Sequence, residues 1–139
     1  MHLQKIEHLG IAVKNIEEAN KVYTRLLGYE HYKTEAVESE GVITSFFRCG
    51  ESKIELLEAT NPDSAIAKFI EKRGEGIHHV AYAVEDIKAE LKRLADSGFR
   101  ILNEEPKRGA DNKWVAFVHP KSANGVLVEL CQEIDNNNK

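Results

Sequence analysis

The chain has 139 residues, with 19 Lys plus Arg against 23 Asp plus Glu, a formal net charge of −4, 42% apolar and 30% charged side chains. That length suits one domain with one core, and its longest apolar runs, Val80 to Val84 and Trp114 to Val118, are five residues each, against the roughly 20 of a bilayer-spanning helix. The acidic balance, with one Trp, four Tyr and five Phe, lacks the basic field of a nucleic-acid binder, and no hydrophobic signal core follows Met1, so a cytoplasmic protein is expected.

A first strand is expected at Ile6 to Val13, followed by a helix whose N-cap is Asn15 and whose stop is Gly28, with Ile16, Ala19, Val22, Tyr23, Leu26 and Leu27 on its apolar stripe. Short β-type runs come next at Tyr29 to Ala36, Val42 to Cys49 and Lys53 to Leu57. Asn61-Pro62-Asp63-Ser64 is a turn and cap signal for a linker helix from Ala65 to Arg73, with Ile66, Phe69 and Ile70 as its buried face and Gly74 closing it. A strand at Ile77 to Val84 then leads through the cap Asp86 into a helix carrying Ile87, Leu91, Leu94 and Ala95, which stops at Gly98. Strands at Phe99 to Asn103, Trp114 to His119 and Val126 to Cys131 complete the chain, and the tail Asp135 to Lys139 has nothing to bury and reads as disordered.

This order is a repeat. IEHLGIAV at 6–13 aligns with IHHVAYAV at 77–84, an offset of 79 − 8 = 71, and IELL at 54–57 aligns with VELC at 128–131, an offset of 129 − 55 = 74. Each half reads βαβββ, repeat one over 3–60 and repeat two over 76–134, with the linker helix at 63–73, so 1–134 is expected to be a single domain.

Alternation along the strands puts His8 on a face with Gly10 and Ala12, and His79 on a face with Ala81 and Ala83. Glu55 and Glu129 interrupt otherwise apolar strands, and a carboxylate there needs a partner. Taken singly, a strand histidine is more often a hydrogen-bonded core or rim residue, and a strand glutamate more often faces solvent. The duplication favours a joint reading: two imidazoles and two carboxylates form a ligand set for a divalent first-row ion. Lys107, Arg108, Lys113 and Lys121 make 107–121 locally basic, suited to an anionic substrate or simply to a solvated loop. His78 points away from the His79 face, and His119 is placed to shape the turn after it. Cys49 and Cys131 are expected to be reduced thiols in strands, with no CxxC spacing between them.

Over Ile6 to Gln132 the chain resembles the vicinal oxygen chelate superfamily, the glyoxalase/dioxygenase fold, and within it the methylmalonyl-CoA epimerase family. The stretches that carry the closer resemblance are IEHLGIAV (6–13), IELLEA (54–59), DSAIAKFIEKRGEGIHHVAY (63–82), NEEPKRGA (103–110) and HPKSANGVLVEL (119–130). The resemblance implies an α+β fold, two βαβββ repeats forming an open barrel. It also implies a homodimer and a metal held by His8, Glu55, His79 and Glu129, with Co²⁺ first and Zn²⁺, Ni²⁺ or Mn²⁺ as alternatives. It implies proton transfer at C2 of a CoA thioester through a metal-stabilised enolate, with Lys121, Ser122 and Thr44 at the substrate.

Glyoxalase I enzymes use a similar ligand set, so lactoylglutathione lyase is the enzymatic alternative, and a non-catalytic ligand-binding protein of the same fold is the other. Several epimerases of the family carry a second carboxylate where this chain has Thr44, and tend to have Gln where it has Glu55. Glu55 and Glu129 are therefore the expected acid–base pair.

Overall fold

The structure, a computed structural model, describes residues 2–135; the expected disorder of the tail falls, except for Asp135, outside the described residues. The elements run β1 (Lys5–Ala12), α1 (Ile16–Leu27), β2 (Lys33–Val37), β3 (Val42–Cys49), β4 (Ser52–Ala59), α2 (Ala65–Arg73), β5 (Gly76–Ala83), α3 (Ile87–Asp96), β6 (Lys107–Gly109), β7 (Lys113–Val118) and β8 (Val128–Glu133). Single 3₁₀ turns occupy Glu38–Glu40 and Pro120–Ala123. Among the described residues, no helix is long and apolar enough to cross a membrane.

The chain forms two compact units, one of residues 8–78 and one of residues 2–7 with 79–135. In the first, strands are ordered β2-β3-β4-β1, with β1 parallel to β4 and the other neighbours antiparallel. Helix α1 starts because the Asn15 side chain accepts from the Glu18 amide at 3.0 Å, and it ends on Gly28, whose φ of 88° a side chain would resist. Its Ala19, Tyr23 and Leu27 pack on the buried cluster of Val13, Phe47 and Leu56, as do Ile11 and Ile54 from the strands. Val22 and Leu26, expected on this stripe, are 48% and 69% exposed: the sheet accepts a narrow face, and those two lie about a quarter-turn off it. Helix α2, capped by the Ser64 hydroxyl, covers the other side of the sheet at one end, where Ile66, Phe69 and Ile70 meet Ala12, Val42 and Leu57. His78 stacks edge-on against Phe69 at 5.0 Å, which makes it the helix-facing residue of its strand.

The second unit repeats the plan, with order β5-β8-β7-β6 and β5 parallel to β8. Helix α3 packs Ile87, Leu91 and Leu94 on Val84, Ala116, Val118 and Leu130. Ala95, expected on that stripe, is exposed, while Glu90 is buried and held by Arg93 at 2.8 Å and His2 at 3.0 Å. Residues 2–7 belong to this unit: the Gln4 amide donates to the Ala83 carbonyl, and Leu3 joins the α3 core.

The strand expected at Phe99 to Asn103 does not form. Phe99 and Ile101 pack into the α3 core, Ile101 makes one isolated bridge to Val118, and the Asn103 side chain accepts from the Phe117 amide at 2.8 Å. That carboxamide supplies the acceptor a backbone carbonyl would give in a ladder, and the edge strand forms later, as β6. Expected strand ends also move: Tyr29 to Ala36 contracts to β2, and Val126 to Cys131 becomes β8, because Asn124 and Gly125 take positive φ and Val126 closes a turn onto Ala123.

Candidate active site

Cross-strand partners share a sheet face, so register alone lays out lateral rows in the first unit. One row is Arg48, Lys53 and His8; the next is Lys33, Phe46, Glu55 and Gly10; the third is Glu35, Thr44, Leu57 and Ala12. His8 and Glu55 are 4% and 5% exposed, and His8 Nδ1 lies 3.1 Å from Glu55 Oε2. Phe46 is fully buried beside them, and Gly10, the cross-strand partner of Glu55, leaves room for the carboxylate.

The second unit builds the same pair from equivalent places. Ala81, Glu129 and Phe117 make one row, with Ala83, Cys131, Val115 and Lys107 beyond it. His79 Nε2 is 3.1 Å from Glu129 Oε1, both residues are 6% exposed, and Phe117 meets the imidazole edge-on at 6.1 Å. Each unit therefore buries one imidazole against one carboxylate, between an aromatic ring and a position with little or no side chain. His and Glu offer nitrogen and oxygen donors of the types that hold divalent ions.

The remaining expected residues fall in varied settings. Thr44 is fully buried and its Oγ1 has no hydrogen-bond partner. Ser122 accepts from the Arg100 amide at 2.9 Å, and Lys121 is exposed in the 3₁₀ turn, its amide donating to His119 Nδ1 at 3.0 Å, so His119 does shape that turn. The basic segment separates. Lys113 is buried and paired with Glu133 at 3.2 Å and Glu7 at 4.0 Å, while Arg108 lies over Trp114, which packs on the α3 side of its sheet. Both cysteines lie in strands outside any disulfide, Cys49 exposed and Cys131 buried, the latter donating to the Tyr82 carbonyl.

The Arg48–Lys53–His8 row is absent from the sequence reading. No local pattern announces it, because Arg48, Lys53 and His8 become neighbours only through strand register.

With this geometry in view, the comparisons are specific. Residues 7–117 match the sequence profile of the Glyoxalase/Bleomycin resistance protein/Dioxygenase superfamily, and the chain belongs to that superfamily, with its α+β fold of paired βαβββ repeats. Among curated relatives, the ethylmalonyl-CoA/methylmalonyl-CoA epimerase of Cereibacter sphaeroides is 44% identical over 130 residues, covering 92% of this chain and 97% of that protein. Two solved structures are similarly near. A Streptomyces coelicolor methylmalonyl-CoA epimerase variant in complex with 2-nitronate-propionyl-CoA has a TM-score of 0.91 at 36% identity, over 94% of this chain and 95% of that one. The methylmalonyl-CoA epimerase from Mycobacterium tuberculosis has a TM-score of 0.92 at 33% identity, over 97% and 91%.

Proposed function

We propose that the protein is an epimerase that interconverts the (R) and (S) forms of methylmalonyl-CoA by proton transfer at C2, as a metal-dependent single-domain protein. The observation that carries this is the duplicated buried pair, His8 with Glu55 and His79 with Glu129, each at 3.1 Å, in a chain whose relatives include epimerases named for that thioester. The donor set fits a divalent ion: ligand atoms at about 2.1 Å from a metal stand about 3.0 to 3.4 Å apart around it, which is the spacing each pair holds. His8, Glu55, His79 and Glu129 are the proposed ligands. A bound divalent ion supplies Lewis-acid stabilisation to the oxygen that gains charge when the C2 proton leaves.

The chain's own groups supply the rest. Inversion needs one group to take the C2 proton and another to return one from the opposite side; Glu55 and Glu129, one per repeat, are the proposed pair. A threonine hydroxyl is a poor base at neutral pH, so Thr44, buried with an unpartnered Oγ1, serves in this reading to bind substrate by hydrogen bonding. Lys121 and Ser122 are proposed to bind it as well. A homodimer in the cytoplasm is the proposed assembly, with Co²⁺ the first candidate metal.

The test is C2 proton–deuterium exchange and epimerisation of methylmalonyl-CoA by metal-loaded protein, with a parallel lactoylglutathione lyase assay. Glu55→Gln, assayed with metal still bound, is expected to lose exchange on one face. Full epimerisation by that variant overturns the acid–base assignment, and absence of any C2 exchange by the wild-type protein overturns the epimerase reading.

A further inference from the structure

The two repeats match at their His–Glu pairs but differ beside them. In the first unit the row through His8 carries Lys53 and Arg48, and the adjoining row ends in Lys33. Arg48 is exposed at the end of β3, and its guanidinium stacks over the Tyr32 ring at 4.8 Å. Tyr32 is 40% exposed, and its amide donates to the Phe46 carbonyl, which fixes it against β3. Tyr29, 42% exposed, donates its hydroxyl to the Arg48 carbonyl. Lys33 lies over Phe46 at 4.8 Å and pairs with Glu35 at 3.4 Å. Among the described residues, the Arg48 guanidinium has no carboxylate partner, in a chain with more acids than bases.

An exposed arginine braced by tyrosines at a fixed place on a sheet face presents its fork of N–H groups to a phosphate and its aromatic neighbours to a purine. Arg48 stands two strands from His8, about 10 Å by strand spacing, and its side chain extends further toward Tyr32, on the side of β3 away from β4. The geometry points to Arg48, with Tyr32 and Lys33, as the subsite for the phosphorylated nucleotide end of the CoA thioester, with Lys53 lining the path between it and His8. This rests on the epimerase reading and names the part of the substrate that the first unit holds. Within the basic segment 107–121, Lys113 is instead paired with Glu133 and Glu7.

The experiment compares methylmalonyl-CoA with methylmalonyl-pantetheine, which has the same reacting end and lacks the nucleotide, in the wild-type protein and in Arg48→Ala. The subsite predicts that the ratio of kcat/KM for the CoA thioester to that for the pantetheine thioester falls on the order of tenfold in the variant. It predicts that the fall lies in KM, and that calorimetric affinity for free CoA falls by a similar factor. An unchanged ratio with unchanged CoA affinity overturns the inference. If the wild-type protein turns over neither thioester, the epimerase reading fails; CoA binding by wild type and its loss in Arg48→Ala still supports the subsite, and equal binding by both overturns it.

Discussion

Glu58 and Gln132 make the same bond from equivalent places in the two repeats. Glu58 Oε1 accepts the Ile16 amide at 2.6 Å and Gln132 Oε1 accepts the Ile87 amide at 2.8 Å, so the fourth strand of each βαβββ unit secures the first turn of that unit's helix. A helix begins with amides that have no acceptor of their own, and here the sheet provides one, fixing the helix just beyond the His-bearing strand. Glu58→Ala is expected to destabilise the protein by about 1 kcal/mol, and Glu58→Gln by less, because the carboxamide keeps the acceptor and loses only the attraction to the helix dipole. Urea midpoints of the two variants check the order.

Thr44 gives a prediction of opposite signs. Its fully buried hydroxyl has no partner, and such a group costs about 1 kcal/mol or more of desolvation. Thr44→Val, nearly the same shape, is expected to raise the stability of the substrate-free protein by about 1 kcal/mol while raising KM for the thioester. Denaturation and steady-state kinetics on one preparation measure both.

Lys113 holds a buried charge against Glu7 and Glu133. Lys113→Met is expected to cost about 3 kcal/mol, because removing one partner leaves a buried carboxylate less compensated. The double variant Lys113→Met with Glu7→Gln is expected to recover part of that loss, a coupling that a double-mutant cycle reads directly.

Glu90 carries a pH signature. Burial pushes its carboxyl up, but the hydrogen bonds and charges of Arg93 and His2 outweigh it, so the carboxyl is held below its ordinary 4.5. A depressed carboxyl contributes stability that is present above the unfolded-state value and is lost as pH falls through the folded-state one. The stability gap between the wild-type protein and Glu90→Gln is therefore expected to be widest near neutral pH and to close as pH drops below 4.5. Unfolding curves taken down this range check it.

Metal removal tests the proposed ligands. His8→Ala and His79→Ala are each expected to lower metal stoichiometry after gel filtration and to abolish C2 exchange, with chelator-treated wild type giving the same phenotype. Retention of a full metal load by both variants rules out the proposed ligand set.

The pairing of His8 with Glu55 and of His79 with Glu129 was legible because the repeat presents the same His and Glu twice, and strand alternation then assigns their faces. The failures have a common physical cause in distant partners. Phe99 and Ile101 alternate like strand residues, yet α3 claims them and the Asn103 side chain takes the Phe117 amide. Lys113 reads as one more loop cation until folding brings it to Glu7, far away in sequence. Val22 and Leu26 satisfy a helical period, but the width of the sheet under α1 decides which positions it covers. The Arg48 row exists only through pairing of three strands, and no window of sequence contains it.

The small residues beside the glutamates set a condition on kinship. Gly10 is the register partner of Glu55, and fully buried Ala81 that of Glu129. A branched side chain at either place would compete with the carboxylate for volume while leaving every donor atom in the sequence. A relative that keeps all four proposed donors but carries valine at either place is a candidate pseudoenzyme, and a census of those four residues alone would count it as active.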